Sequence, residues 1–240
     1  MPSPPLDNAL AWLQQEAALL TALALLCLAL NVRGLRWPLY PLRLLSTWAH
    51  ELAHGVAALL VGGRVSRLQI FADGSGLATT RVPSSRLRTA AVASAGYPGA
   101  ALLGAGLLAI RHLADPGMAL AGLGGVMLLS VLLWVRNLFG VIALGLLGAG
   151  LVAAGLQLSV EQARLALALV GAAIGMNALT SLRHLFGGEG LVGGQPYPSD
   201  ARLVAAALWL PWWIWATGWL LLSLGLLGLG ILLPELTPLL

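Results

Sequence analysis

Lysine is missing from this chain, cysteine occurs once, and charged residues make up only 9% of the 240. Each scarcity excludes something. The lone cysteine, Cys27, rules out an internal disulfide framework and leaves the redox compartment open. All 13 basic residues are arginines spread over connecting segments. A net charge of +4 distributed that way offers no concentrated basic face for nucleic acid and suits anionic lipid head groups. With 59% hydrophobic residues and a mean hydropathy of +0.89, the chain carries more apolar surface than a water-soluble domain of its length can bury. The expected solvent is the bilayer. No long linker or low-complexity tract interrupts the pattern, so residues 1–240 read as a single membrane-embedded domain.

Apolar runs of roughly 20 residues, delimited by charges, prolines and glycine clusters, are long enough to cross a bilayer. They place spans near 16–32, 41–62, 90–110, 117–135, 138–157, 163–182 and 211–233. The fold class expected is an all-α polytopic membrane protein with six to eight transmembrane helices. Asp7 and Glu16 precede the first run, with no basic segment before it and no small-residue cleavage site, which predicts a retained helix and not a signal peptide. Five arginines, from Arg64 to Arg88, follow the second span, against Arg33, Arg36 and Arg43 before it. That asymmetry puts the later loop, and with it the N-terminus, in the cytoplasm. The 30 glycines fit close helix packing, since lipid supplies no hydrophobic drive between helices.

Two stretches depart from helical patterning. "VSRLQIFADGSGLATTRVP" alternates around the turn residues Asp73, Gly74, Ser75 and Gly76, and predicts a β-hairpin after the second span. Unpaired backbone cannot face lipid, so the hairpin belongs either at the interface, anchored by Arg64, Arg67 and Arg81, or along a protein cavity. In "FGGEGLVGGQPYPSDARLVAAALWLPWW", residues 186–213, glycines and prolines break the backbone. A short apolar run then starts at Ser199 and Asp200 and ends at Pro211, which predicts a half-helix or a tilted extension ahead of the last span. The tryptophans at 209, 212, 213, 215 and 219 fit belt anchoring and packing around that break.

Chemistry concentrates in "STWAHELAHGVAALLVGG", residues 46–63. His50 and His54 are four positions apart, so on a helix both imidazoles share one face within reach of one ion, and Glu51 projects beside them. Burying three ionisable groups in an apolar helix costs desolvation that something must offset. The residues match HExxH, in which two neutral imidazoles bind zinc and the glutamate takes a proton from the water the metal activates. The bland alternative is a histidine pair hydrogen-bonded into a helix bundle, which requires a separate partner for each group. His54 lies nine residues from Gly63, about 14 Å of helix, so a metal there sits well below the surface and the fold must admit water.

Carried by "HELAHGVAALLVGGRV", "AGYPG" at 95–99, "RNLFG" at 136–140 and "SDA" at 199–201, the chain resembles the site-2 protease class of intramembrane zinc metalloproteases, in particular its small bacterial membrane-embedded branch. That resemblance implies a zinc-dependent peptidase of a bacterial cell membrane, acting on transmembrane or membrane-associated proteins. It implies His50, His54 and Asp200 as metal ligands and Glu51 as the catalytic base, with the β-segment holding the substrate extended. Read from residues alone, Ser199 and Asp200 equally suit a helix N-cap, and His184, Glu189 and Asp73 are rival third ligands. Asn177 is a candidate oxyanion donor or a helix-packing amide. Arg136 and Asn137 mark a tight connection between spans. Two other functions use the same constellation: hydrolysis of a lipid-like ester, and metal binding without turnover in a membrane scaffold or transporter.

Overall fold

The computed structural model describes residues 37–187 and 189–236, together with residues 21, 24, 25, 28, 29 and 32. Most of the first expected span, Cys27 included, lies outside the described residues.

α1 is Tyr40–Leu60, where Pro41 occupies the first turn and costs no hydrogen bond. The helix stops at Val61 and Gly62, the glycine taking a φ of +79° that reverses the chain. Strands β1 (Arg64–Ile70) and β2 (Gly76–Arg81) then pair antiparallel, as the alternation predicts. They run back along α1 and do not project from it. The Tyr40 hydroxyl donates to Ala72 O at 2.8 Å and the Thr47 hydroxyl to Gly74 O at 2.8 Å, so the turn lies beside the start of the helix. The hairpin residues Ser75, Gly76, Leu77, Ala78 and Thr80 line protein cavities.

Helices α2 (Arg86–Ser94) and α3 (Gly96–Leu113) bend by 44° at their junction. Next come α4 (Pro116–Trp134), capped by the Asp115 carboxylate, and α5 (Leu138–Gln157). Then follow α6 (Val160–Gly175), which opens on a reciprocal Ser159–Gln162 capping box, and the short α7 (Asn177–Thr180) and α8 (Leu182–Gly187). A second antiparallel hairpin, β3 (Glu189–Val192) and β4 (Gln195–Pro198), precedes α9 (Asp200–Leu208) and α10 (Trp212–Leu236). The half-helix expected before Pro211 is α9. Sequence reading missed the second hairpin, although Gly193 and Gly194 carried its signal: both adopt positive φ, as the two central residues of a tight hairpin turn must.

α3 sits at the centre, against α1, α6 and α10. α1 is fixed at mid-length by polar bonds that an apolar surround makes costly to lose: Trp48 Nε1 donates to Ser130 Oγ at 2.9 Å, Ser46 Oγ to Ala173 O at 2.5 Å, and Asn177 Nδ2 to Ser46 O at 3.0 Å. The "RNLFG" connection is more than a tight link. Val135 bridges Leu68 in parallel, Arg136 N donates to Leu68 O at 3.1 Å, and the Asn137 amide accepts from Ile70 N and donates to Ile70 O. These residues close the outer edge of β1 as a third strand would, so buried backbone there is satisfied.

Three described helices, α4, α5 and the Trp212–Leu233 part of α10, are long and apolar enough to cross a membrane, or four if the bent α2–α3 pair counts as one span. Six to eight were expected. Most of the first expected span lies outside the described residues; of the others, α1 carries Arg43, His50, Glu51 and His54, and α6 is only 16 residues long before the chain breaks at Met176.

Glycine position decides how α4 and α5 meet. A Cβ on Gly124 would lie 2.5 Å from Gly148 O, whereas one on the adjacent Gly125 meets nothing within 4 Å. Gly124→Leu is therefore expected to destabilise the protein by roughly 1–3 kcal/mol through overpacking. Gly125→Leu should leave the melting temperature in detergent unchanged. Equal melting of the two variants would show that the α4–α5 contact does not contribute.

Candidate metal centre

The i, i+4 spacing on α1 sets His50 and His54 on one face, with Nε2 atoms 3.1 Å apart. The third group arrives from the far end of the sequence. α9 begins at Asp200, whose Oδ2 stands 3.0 Å from His50 Nε2 and 3.4 Å from His54 Nε2. The three ligand atoms lie within 4.8 Å of one another, the sole such group among the described residues. The cap alternative for this stretch does not hold for side chains: Ser199 takes the N-cap backbone position, but its buried hydroxyl makes no hydrogen bond.

His54 Nδ1 is 2.7 Å from Val92 O, and a carbonyl can only accept, so Nδ1 carries the hydrogen and, in the neutral ring, Nε2 presents a lone pair. That lone pair, His50 Nε2 and a carboxylate oxygen converge on one point, where a single cation can be bound by all three. Zinc bonds of about 2.0–2.2 Å at tetrahedral angles separate neighbouring donors by roughly 3.3–3.6 Å. The observed spacings of 3.0, 3.1 and 3.4 Å approach this. The residues fit a zinc ion.

Glu51 is buried but stands outside the cluster, its Oε2 accepting from Ala78 N of β2 at 2.7 Å. β2 can come this close because of Gly76, where a Cβ would lie 2.6 Å from Glu51 Cγ. Gly96, at the bend between α2 and α3, does the same for the histidines: a Cβ there would lie 2.5 Å from His50 Nε2 and 2.6 Å from His54 Nε2. Its neighbour Tyr97 is buried with its ring edge-on to His50, centroids 4.6 Å apart. Neither position was singled out from sequence as part of the site. "AGYPG" marked a glycine-bearing segment, but nothing in it said which helix it would meet.

Two cavities open on this arrangement, one of about 570 Å³ and one of about 280 Å³. His50, Glu51, Gly76, His184 and Val192 line both. The rival ligands fall elsewhere. Asp73 is exposed in the hairpin turn, accepting from Ser75, and exposed Glu189 faces Arg202 at 3.7 Å. His184 lines the cavities but is not in the ligand group. Asn177 is a packing amide in this structure, donating to Ser46 O and accepting from Ser181 Oγ.

A family model described as Peptidase M50B-like matches residues 17–230. No curated protein and no solved structure matches the chain.

Gly96→Ala should remove bound metal from the purified protein by elemental analysis. Gly106→Ala, where an added Cβ meets nothing within 4 Å, should keep it. Full metal content in Gly96→Ala would mean that the α2–α3 bend is not what makes room for the ion.

Proposed function

The chain belongs to the Peptidase M50B-like family, and from that premise we propose that it is a zinc-dependent intramembrane peptidase hydrolysing peptide bonds of transmembrane or membrane-associated proteins. The observation that carries the proposal is the convergence of His50, His54 and Asp200 with Glu51 held alongside, facing a cleft.

In this reading His50, His54 and Asp200 hold the metal. Zinc supplies a Lewis acid for the scissile carbonyl and lowers the pKa of water bound to it. Glu51 accepts the proton of the attacking water and delivers it to the leaving amine as the peptide bond breaks. Two features favour Glu51 in this role and not as a ligand: its hydrogen bond to Ala78 N turns it toward β2, and it lines both cavities.

Substrate shape follows from the hairpin. A transmembrane helix hides its carbonyls in its own hydrogen bonds and must be extended before attack. With the outer edge of β1 taken by Val135–Asn137, β2 carries the sheet's remaining edge, beside the cleft. A segment unwound there replaces its lost helical bonds by pairing with β2. The smaller cavity runs along this strand, lined by Leu77, Ala78 and Thr80 opposite His54 and Asp200.

Purified in detergent, the protein should contain about one zinc per chain. Glu51→Gln should keep the metal and lose cleavage, while His50→Ala and Asp200→Ala should lose both. Cleavage at the original rate by Glu51→Gln rejects the general-base role, and full zinc content in Asp200→Ala rejects Asp200 as a ligand. Turnover of a lipid ester without any peptide cleavage would replace the peptidase by the lipid-directed hydrolase.

A further inference from the structure

Amide hydrolysis builds negative charge on the carbonyl oxygen, and a preorganised donor facing that oxygen is among the larger contributions a protein can make. Glu51 cannot serve, since a base accepts. Asn177 has the right chemistry, but one of its Nδ2 hydrogens is given to Ser46 O, its Oδ1 accepts from Ser181, and it lines only the larger cavity. His184 is different. Its half-buried imidazole has no hydrogen-bond partner among the described residues. It belongs to the small set of residues common to both cavities, with His50 and Glu51.

The ring is also seated. A Cβ on Gly190 of β3 would overlap Nδ1 and Cε1 of His184, so the second hairpin packs on that edge of the ring. A residue placed at a span end to meet head groups needs no such glycine beneath it.

Resting on the peptidase reading above, we propose that His184 is a catalytic residue: its neutral imidazole donates a hydrogen bond from Nε2 to the oxygen of the scissile carbonyl as that oxygen gains charge. No proton is transferred in this step. The donor strengthens as the carbonyl becomes tetrahedral, so the effect falls on kcat and not on ground-state binding.

The test uses the zinc-loaded protein in detergent with fluorescein-labelled casein and a fluorogenic single-span peptide. His184→Leu should lower kcat by about 10²–10³-fold, as loss of one oxyanion donor does. KM should change by less than about twofold, the signature of an interaction made only in the transition state. Zinc content should match that of the original protein. His184→Gln keeps a side-chain N–H and should recover part of the loss. Gly190→Ala, which pushes the ring off its seat without removing it, should show the same selective fall in kcat and serves if the leucine variant does not fold. Unchanged kcat in His184→Leu and Gly190→Ala overturns the proposal, and so does loss of zinc, which would make His184 a ligand. Glu51→Gln measured in parallel separates the two levels. If it is inactive while His184→Leu is fully active, only the role of His184 falls; if it cleaves at the original rate, the peptidase reading falls as well.

Discussion

Two imidazole nitrogens and a carboxylate oxygen converge on one point inside an apolar bundle, and much of the local architecture follows from arranging that convergence. The two imidazoles come at no architectural expense, because four residues of α-helix already align them. The carboxylate is the difficult partner: Asp200 lies 146 residues beyond His54 and must be delivered end-on. A continuous transmembrane helix would present Asp200 from its flank. A helix that starts there delivers it from the terminus, which is why the chain breaks at Ser199 and again at Pro211, leaving α9 as a nine-residue piece. Glycines clear the remaining space. Gly96 lets α3 approach the histidines and Gly76 lets β2 approach Glu51, and at either position a single methyl group would overlap the chemistry.

A second constraint concerns backbone. A two-stranded sheet within a largely apolar helical chain has polar edges that lipid cannot satisfy. This protein treats the two edges differently. The edge of β1 is closed by Val135, Arg136 and Asn137, the asparagine amide imitating a strand's donor and acceptor, and Leu68 and Ile70 are buried behind it. The edge of β2 is left toward the cleft, where Glu51 takes one of its amides. An open edge at depth is tolerable only beside a cavity, so the structural requirement and the substrate-binding reading point to the same side of the sheet.

How much of this the sequence disclosed depended on whether the signal was local. HELAH needs only a helix, and α4 and α5 fall within a residue of their expected limits because Asp115–Pro116, Arg136–Asn137 and Ser159 punctuate them. The first hairpin was legible from alternation around a glycine-rich turn. The stretch expected as one span at 163–182 was not, since hydropathy is blind to a break made by Asn177 turning to bond α1. Asp200 was ambiguous for the same reason: a Ser-Asp pair before an apolar run is chemically suited to capping, and only the position of α1 shows that the carboxylate points elsewhere. For residues whose part depends on a distant neighbour, such as Gly96, Tyr97 and Gly190, no local signal says which element they meet.

The breaks also explain how a largely apolar chain admits water. Uninterrupted helices packed through glycine, as α4 and α5 are, leave no space between them. The elements around the cleft are interrupted ones: the α2–α3 bend, the α6–α7–α8 steps, the two hairpins and the α9–α10 break. The interruptions bring polar residues to the larger cavity: Thr180 and Ser181 from the α7–α8 step and Ser75 from the first hairpin line it together with Ser46 and Thr47 of α1. A cavity of about 570 Å³ with polar side chains in its lining is roomy enough to hold water. Departures from regular helix therefore supply both the reach that assembles the ligands and the wetting that hydrolysis needs, which is why the chemistry lies where the transmembrane pattern fails.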